Sequence, residues 1–370
     1  MVGWCDVMTT KEAYIALNLL PKIGPVRVRR LLEVFESPEA ILKANRDKIL
    51  AIEGFGSEMA KTLVNWEDHI DLQRELDLIR GAKVGVVSLD CPDYPGPLRE
   101  IHDPPTVLYV WGTLTKADWR GIGVVGSRRA THYGLQTAKK LSYQIARAGL
   151  TVISGLARGI DTAAHEGALA GGRTVAVLGS GLGKLYPPEN QVLAEKIAKQ
   201  GAVVSEFPIL YLPDKQSFPL RNRIVSGWSS GILVIEAPQR SGSLITANQA
   251  AEQGRNVYAV PGPIDRPNSV GCHRLIQDGA KLVMSVDDIL EDFGQLALSM
   301  AEGSEPDSLP LAGLSDEERK VFALLSITEI GIEDIIRQAE LPSQIVSTTL
   351  MRLEMKRLVK QLPGKHFVRL

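Results

Sequence analysis

Arginine and lysine recur in this chain at one kind of place, just past the end of a short apolar run. Arg128 and Arg129 follow residues 121–125, Arg158 follows 151–153, Lys184 follows 174–178, Arg240 follows 231–235 and Arg266 follows 256–260. Guanidinium and ammonium groups bind phosphate oxygens, and arginine does so with two parallel prongs. The Val/Ile-rich runs, with a further one at 202–204, alternate with amphipathic stretches such as 137–148 and 191–199. That alternation predicts an α/β core, an extended Rossmann-like, doubly wound and mostly parallel sheet covered on both faces. Ligands of such sheets sit in the crevice beyond the carboxyl ends of the strands. The cations are therefore expected to converge on one crevice suited to a phosphate-rich ligand.

The turns that follow the strands carry the rest of the candidate chemistry. Gly126-Ser127-Arg128-Arg129 combines a tight backbone, a hydroxyl and two guanidiniums. In Ser154-Gly155-Leu156-Ala157-Arg158-Gly159-Ile160-Asp161, Asp161 is placed to cap the next helix. His165, four residues on, shares its face, so an acid/base pair is the alternative. Gly181 and its glycine neighbours would let a nucleotide approach the backbone, Lys184 adds a charge, and Tyr186 offers a ring for a base. Phe218, Arg221 and Arg223 open a later helix, and Ser241, Gly242 and Ser243 start another whose free N–H groups would cradle an anion.

Several chemistries are excluded by spacing. Gly121-Ile122-Gly123-Val124-Val125-Gly126 has the dinucleotide-binding spacing but is itself the strand, whereas that motif belongs in the turn after it. No acid follows the next strand to hold a ribose, and the 179–184 loop lacks the Lys-Ser/Thr ending of a P-loop. Neither NAD binding nor ATP hydrolysis is expected. Three widely spaced cysteines without a CxxC argue against a zinc ribbon or a disulfide scaffold and for a reducing compartment. Cys272-His273 lacks further ligands and is read as structural, so no metal and no cofactor are expected. No apolar stretch reaches membrane-spanning length. The N-terminus lacks a basic segment followed by an apolar run, so the expectation is a cytoplasmic protein. Net charge is −1 over 370 residues, which leaves nucleic acid open, because a local patch is what counts.

The elements that must position these residues divide into segments. Residues 9–80 read as a helical domain with two helix-hairpin-helix turns, Leu20-Pro21-Lys22-Ile23-Gly24-Pro25 and Ile52-Glu53-Gly54-Phe55-Gly56. Each turn precedes a helix, 26–35 and 57–66, and would offer N–H groups to a phosphate. The first has Lys22 where the first glycine is expected. A packing module without nucleic-acid contact is the plainer alternative. Residues 85–293 form the core, and the part before 119 is turn-rich with a strand at 107–111. Residues 294–313, rich in Gly, Ser, Pro and acids, read as a linker. Residues 314–370 read as a winged helix. In it Ser315 and Glu318 form a capping box, 331–339 make a second helix, Ser343 caps a third over 345–357, and a hairpin turns at Pro363-Gly364. Arg352, Lys356, Arg357, Lys360, Lys365 and Arg369 make its end basic; such a module contacts either DNA or protein.

Gly-Ser-Arg-Arg, Ser-Gly-Leu-Ala-Arg-Gly-Ile-Asp, Phe-Pro-Leu-Arg-Asn-Arg-Ile and Ser-Gly-Ser-Leu-Ile-Thr-Ala together closely resemble the DNA-processing protein family, DprA, also called Smf. The resemblance is dense over residues 85–290. It implies a core that binds single-stranded DNA without hydrolysing it, a homodimer, and delivery of incoming strands to RecA recombinase during natural transformation. It places Gly126, Ser127 and Arg128 in the DNA pocket, with Arg158, Arg221 and Arg223 on further family motifs. The rival is a nucleotide-processing enzyme, similar to a phosphoribohydrolase, with the strand-ending Glu206 and Glu236 as acid and base. Its expected Pro-Gly-Gly loop is absent, Pro261-Gly262-Pro263 being the nearest approach.

Overall fold

The computed structural model describes residues 8–293, 315–325, 330–339, 341–356, 358–362 and 364–369. They fall into two compact units, residues 1–292 and 293–370. The predicted linker, 294–313, and Arg357 lie outside the described residues.

The first unit is built on a nine-stranded sheet: β1 (Gly85–Ser88), β2 (Val107–Gly112), β3 (Gly121–Val125), β4 (Thr151–Ser154), β5 (Thr174–Val177), β6 (Ala202–Ser205), β7 (Gly231–Val234), β8 (Asn256–Ala259) and β9 (Lys281–Leu282). Their order is β1-β2-β6-β5-β4-β3-β7-β8-β9. From β6 to β9 every pairing is parallel; β1 and β2 add two antiparallel strands beyond β6. The central strands β3 to β7 are buried throughout, which is why they read as unbroken apolar runs rather than alternating ones. β1 is not among the strands expected from sequence; it is short, with Val86 and Ser88 buried, Val87 part-buried and only Gly85 exposed.

The helices of eight residues or more in this unit are α1 (Thr10–Leu19), α2 (Pro25–Phe35), α3 (Ser57–Val64), α4 (Leu72–Gly81), α5 (His132–Arg147), α6 (Ile160–Gly171), α7 (Gln191–Gln200), α8 (Ser217–Trp228), α9 (Gly242–Glu252) and α10 (Val270–Gln277). One sheet face packs Val125, Ile153, Val177, Val204 and Val234 against Ile224, Val225 and the fully buried Trp228 of α8. On the other face Ala176 and Val203 meet Ala194 and Ile197 of α7. The chain winds from β3 outward to β6, then returns across β3 to β7. The switch point therefore lies between β3 and β7, and the crevice rule points to their carboxyl ends.

The helical module has its own core, with Leu17, Val28, Leu31, Ile41 and Leu63 fully buried. Both expected hairpin turns are present. Gly24 and Gly56 are the N-caps of α2 and α3, neither with a capping side chain. Lys22 takes φ 65° and Gly54 φ 87°, so the lysine adopts the left-handed twist that the glycine holds in the second hairpin. Lys22 Nζ also bonds Glu58 at 2.9 Å, joining the two hairpins. The module grips the segment just past β6 through Asn18, which donates to the Glu206 carbonyl (2.9 Å), and Glu75, which accepts from the Ile209 N–H (2.8 Å).

The second unit has α11 (Asp316–Ala323), α12 (Ile332–Ala339) and α13 (Ser343–Met355), with β10 (Ile330–Gly331), β11 (Val359–Leu362) and β12 (His366–Arg369) ordered β10-β12-β11. The Ser315/Glu318 capping box is formed as expected. Ser343 is not a cap: Pro342 holds that position, and Ser343 is already helical. Lys356 bonds Glu318 at 2.8 Å, which removes one of the cations counted in the basic tail.

Candidate nucleic-acid interface

β3 ends at Val125, and the chain turns through Gly126 and Ser127. The Ser127 N–H donates to the Glu236 carbonyl just past β7 (2.7 Å), and the Ser127 carbonyl accepts from Ile160 N–H at the start of α6 (3.2 Å). Gly159, at φ 78°, lets this turn abut: a Cβ there would lie 2.4 Å from the Ser127 oxygen. Ser127 is buried, and its hydroxyl accepts from the Arg129 N–H at 3.1 Å. The turn is therefore held from two sides, by the segment after β7 and by the start of α6. Arg128 projects from it over the Phe218 ring, with the guanidinium carbon 5.2 Å from the ring centroid. Phe218 in turn sits 5.8 Å from Tyr186 at a 48° tilt, and Tyr186 remains 37% exposed.

These groups line an open cleft of about 730 Å³ at the switch point. Gly126, Ser127, Arg128, Arg129, Tyr186, Phe218, Arg221, Ser241, Gly242 and Ser243 all border it. So does Arg240, noted from sequence as a strand-end cation but not placed in the site, and Lys215, which sequence reading missed. Lys215 lies in a stretch with neither helical nor strand periodicity; its place just before Phe218 was the only signal. A narrower pocket alongside is lined by Gly155, Arg158, Tyr186, Phe218, Arg128 and Arg221. At the start of α9 the Ser241 hydroxyl accepts from the Ser243 N–H (3.3 Å) and shares a 2.7 Å bond with the Ser243 hydroxyl.

The arginines are held in three different ways. Arg221 lies at the floor, 4% exposed; its Nη1 donates to the Val177 carbonyl, and its Nε has no hydrogen-bond partner. Burial pushes its pKa down to about 10, against the pull of Asp161. Arg158 is exposed but bonded through Nε to Glu189, which raises its pKa and lowers that of Glu189. Arg223 does not face the cleft, a correction to the sequence expectation. It is buried, with Nη1 and Nη2 on the two Glu206 oxygens (2.9 and 2.7 Å) and Nε on Asp103 (2.8 Å). Its charge is spent inside the fold.

Other expectations are also revised by the geometry. Gly181 does not border the cleft: a Cβ there would meet the Pro208 oxygen at 2.0 Å, so the glycine serves a loop-to-loop contact. Lys184 is exposed and Arg266 is exposed, and neither borders the cleft. Asp161 is not the N-cap of α6, which is Gly159; it staples the preceding turn by accepting from the N–H groups of Gly155 (3.2 Å) and Ala157 (3.3 Å). His165 does not pair with it. The ring is fully buried, with Nδ1 2.8 Å from the Thr174 hydroxyl.

The two carboxylates of the rival enzyme are engaged structurally. Glu206 holds Arg223. Glu236 accepts from the Thr131 N–H (2.9 Å), the Thr131 hydroxyl and Asn268 Nδ2 (3.3 Å), fastening the start of α5 and the 268 loop to the end of β7. Among the described residues no group of three or more His, Cys, Asp or Glu is placed to hold a metal, and no helix is long and apolar enough to cross a membrane.

Comparison with known proteins follows the same division of the chain. Residues 85–294 match the family model of DNA recombination-mediator protein A, residues 305–365 the DprA winged helix domain, and residues 15–65 the SAM-like helix-hairpin-helix tandem. Protein Smf of Synechocystis sp. is 34% identical over 394 residues, covering 97% of this chain and 99% of that protein. The X-ray structure of DNA processing protein A from Streptococcus pneumoniae superposes with a TM-score of 0.68 at 38% identity, covering 76% of this chain and 97% of that one. The solved structure of DNA processing protein A from Helicobacter pylori, described for its single-stranded DNA binding mode, gives 0.52 at 27%, covering 58% of this chain and 98% of that one. With its sheet and both flanking modules matched in order, the chain belongs to the DNA recombination-mediator protein A family, DprA, also called Smf.

Proposed function

We propose that the switch-point cleft grips single-stranded DNA, and that the protein is a binding protein rather than an enzyme, acting in DNA processing during natural transformation. The observation that carries this reading is Arg128 stacked over Phe218 at the mouth of a cleft that also presents Arg129, Lys215 and Arg240. Cations track a phosphate backbone, and the adjoining Tyr186 and Phe218 faces accept bases only when those bases are unpaired. The Helicobacter pylori relative, described with single-stranded DNA, supports the same ligand. The engagement of Glu206 and Glu236 in structural bonds speaks against hydrolysis of a nucleotide. The homodimer and the hand-over of the strand to RecA recombinase rest on the family resemblance of the sequence motifs alone.

A mobility-shift titration of single and double strands of equal length tests the reading, and single strands are expected to bind more tightly. Arg128→Ala should weaken that binding. It should also make the dependence of log affinity on log salt shallower by about 0.7, the contribution of one neutralised phosphate on a single strand. Unchanged curves from a folded variant would take Arg128 out of the contact, and release of free base from nucleoside monophosphates would restore the enzyme reading.

A further inference from the structure

We infer that the outer face of α5 continues the path of the single strand once it leaves the cleft; this rests on the cleft binding single strands. α5 starts at the cleft rim, immediately after the Arg128-Arg129 turn, and runs sixteen residues away from it. Its buried face is Gly134, Ala138, Leu141, Ile145 and Ala146. On the opposite side Tyr133, Lys140 and Arg147 recur every seven residues, and Gln136 and Tyr143 fill the adjacent column. All five are exposed, with Tyr133 at 51% and Tyr143 at 43%. Two large half-exposed rings on one helix, that of Tyr143 lying beside Gly171 of α6, interleave with cations in the pattern of a stacking track beside a charged groove. The stripe spans about 21 Å at 1.5 Å per residue.

Among the described residues neither Lys140 nor Arg147 has an ion-pair partner. α5 contains no Asp or Glu at all. The neighbouring α6 has only two, of which Asp161 is buried and Glu166 is already paired with Lys139 at 2.6 Å. Lys140 and Arg147 therefore face solvent with no acid on either helix to answer them. Continuity with the cleft argues for the same ligand: the Tyr133 hydroxyl donates to the Pro261 carbonyl (3.3 Å), in the loop that leads to Asn268 at the cleft's edge. A strand emerging past Arg129 meets Tyr133 first, then the two cations.

The test uses the full chain and oligothymidylates of two lengths, about 5 and about 25 nucleotides, bracketing typical single-strand sites. Lys140→Ala/Arg147→Ala should leave the short strand's affinity unchanged. On the long strand it should make the salt slope shallower by about 1.4, the share of two phosphates. Tyr143→Ala should weaken the long strand about tenfold, the usual cost of losing one stacked base. Lys140→Arg/Arg147→Lys, which keeps both charges, should preserve the slope and so separates loss of charge from loss of fold. Equal slopes for parent and alanine variant on the long strand overturn the α5 path and leave the cleft intact. Absence of short-strand binding by the parent overturns the cleft reading itself.

Discussion

Arg158 and Glu189 show that a cation can border the narrower pocket and still be restrained. Their side chains are half exposed and joined at the edge of the narrower pocket. A phosphate bound there would compete with the Glu189 carboxylate for one guanidinium. Glu189→Gln is therefore expected to tighten single-strand binding by up to about fivefold at low salt, the ceiling for an exposed ion pair. Isothermal titration should show the gain disappearing in an Arg158→Ala background and at high salt. The strand-end positions of Arg128, Arg158 and Arg240 were legible because glycine and serine punctuate each strand. Whether each charge is free was not legible. The partners of Arg223, Glu206 and Asp103, lie 17 and 120 residues away in the chain, beyond the reach of any local pattern.

The turn-and-helix units behave likewise: their existence was readable, and their internal bonding was not. Buried β-branched runs announce β3 to β7, and the α11 capping box is local chemistry. The role of α6's polar residues depends on what packs over them. The Thr174 hydroxyl donates to the Val152 carbonyl (2.7 Å), so His165 Nδ1 donates to that hydroxyl, and Nε2 is left without a hydrogen-bond partner. Burial, with the nearby Arg221 charge, pushes this imidazole from 6.5 down to about 3. Unfolded chains take up a proton near 6.5 while the native fold refuses it until about 3. The stabilising contribution is complete above pH 6.5 and is lost as pH falls toward 3. Urea midpoints should therefore decline through that window, and His165→Gln should flatten the decline.

Across the whole molecule, apolar burial separates two self-contained bodies. The sheet and helical clusters all lie within residues 1–292, and Val321, Phe322, Ile335, Val346 and Leu350 make a distinct core in the winged unit. A chain shortened to 1–292 is expected to unfold cooperatively by circular dichroism and to bind single strands with the full-length salt slope. A shallower slope would assign phosphate contacts to the winged unit. The exposed side of α13, with Gln344, Ser347, Thr348, Met351 and Arg352, carries a single cation. The three-part order of modules was visible from composition and periodicity. The merging of the first two into one body was not, because it rests on Tyr14, Ile15 and Ile79 packing against Val86, Val107, Tyr109 and Ile209, and on Asn18 and Glu75 reaching the 206–209 segment.

The confinement of Arg223 between carboxylates from two distant segments bears on how mutational surveys of this family should be interpreted. A screen that scores only retention of nucleic acid is expected to rank Arg223 beside Arg128, since removing it leaves the buried Glu206 without its partner and frees the part-exposed Asp103, which undermines the scaffold under the proposed cleft. The two positions part company only when a folding readout is run in parallel.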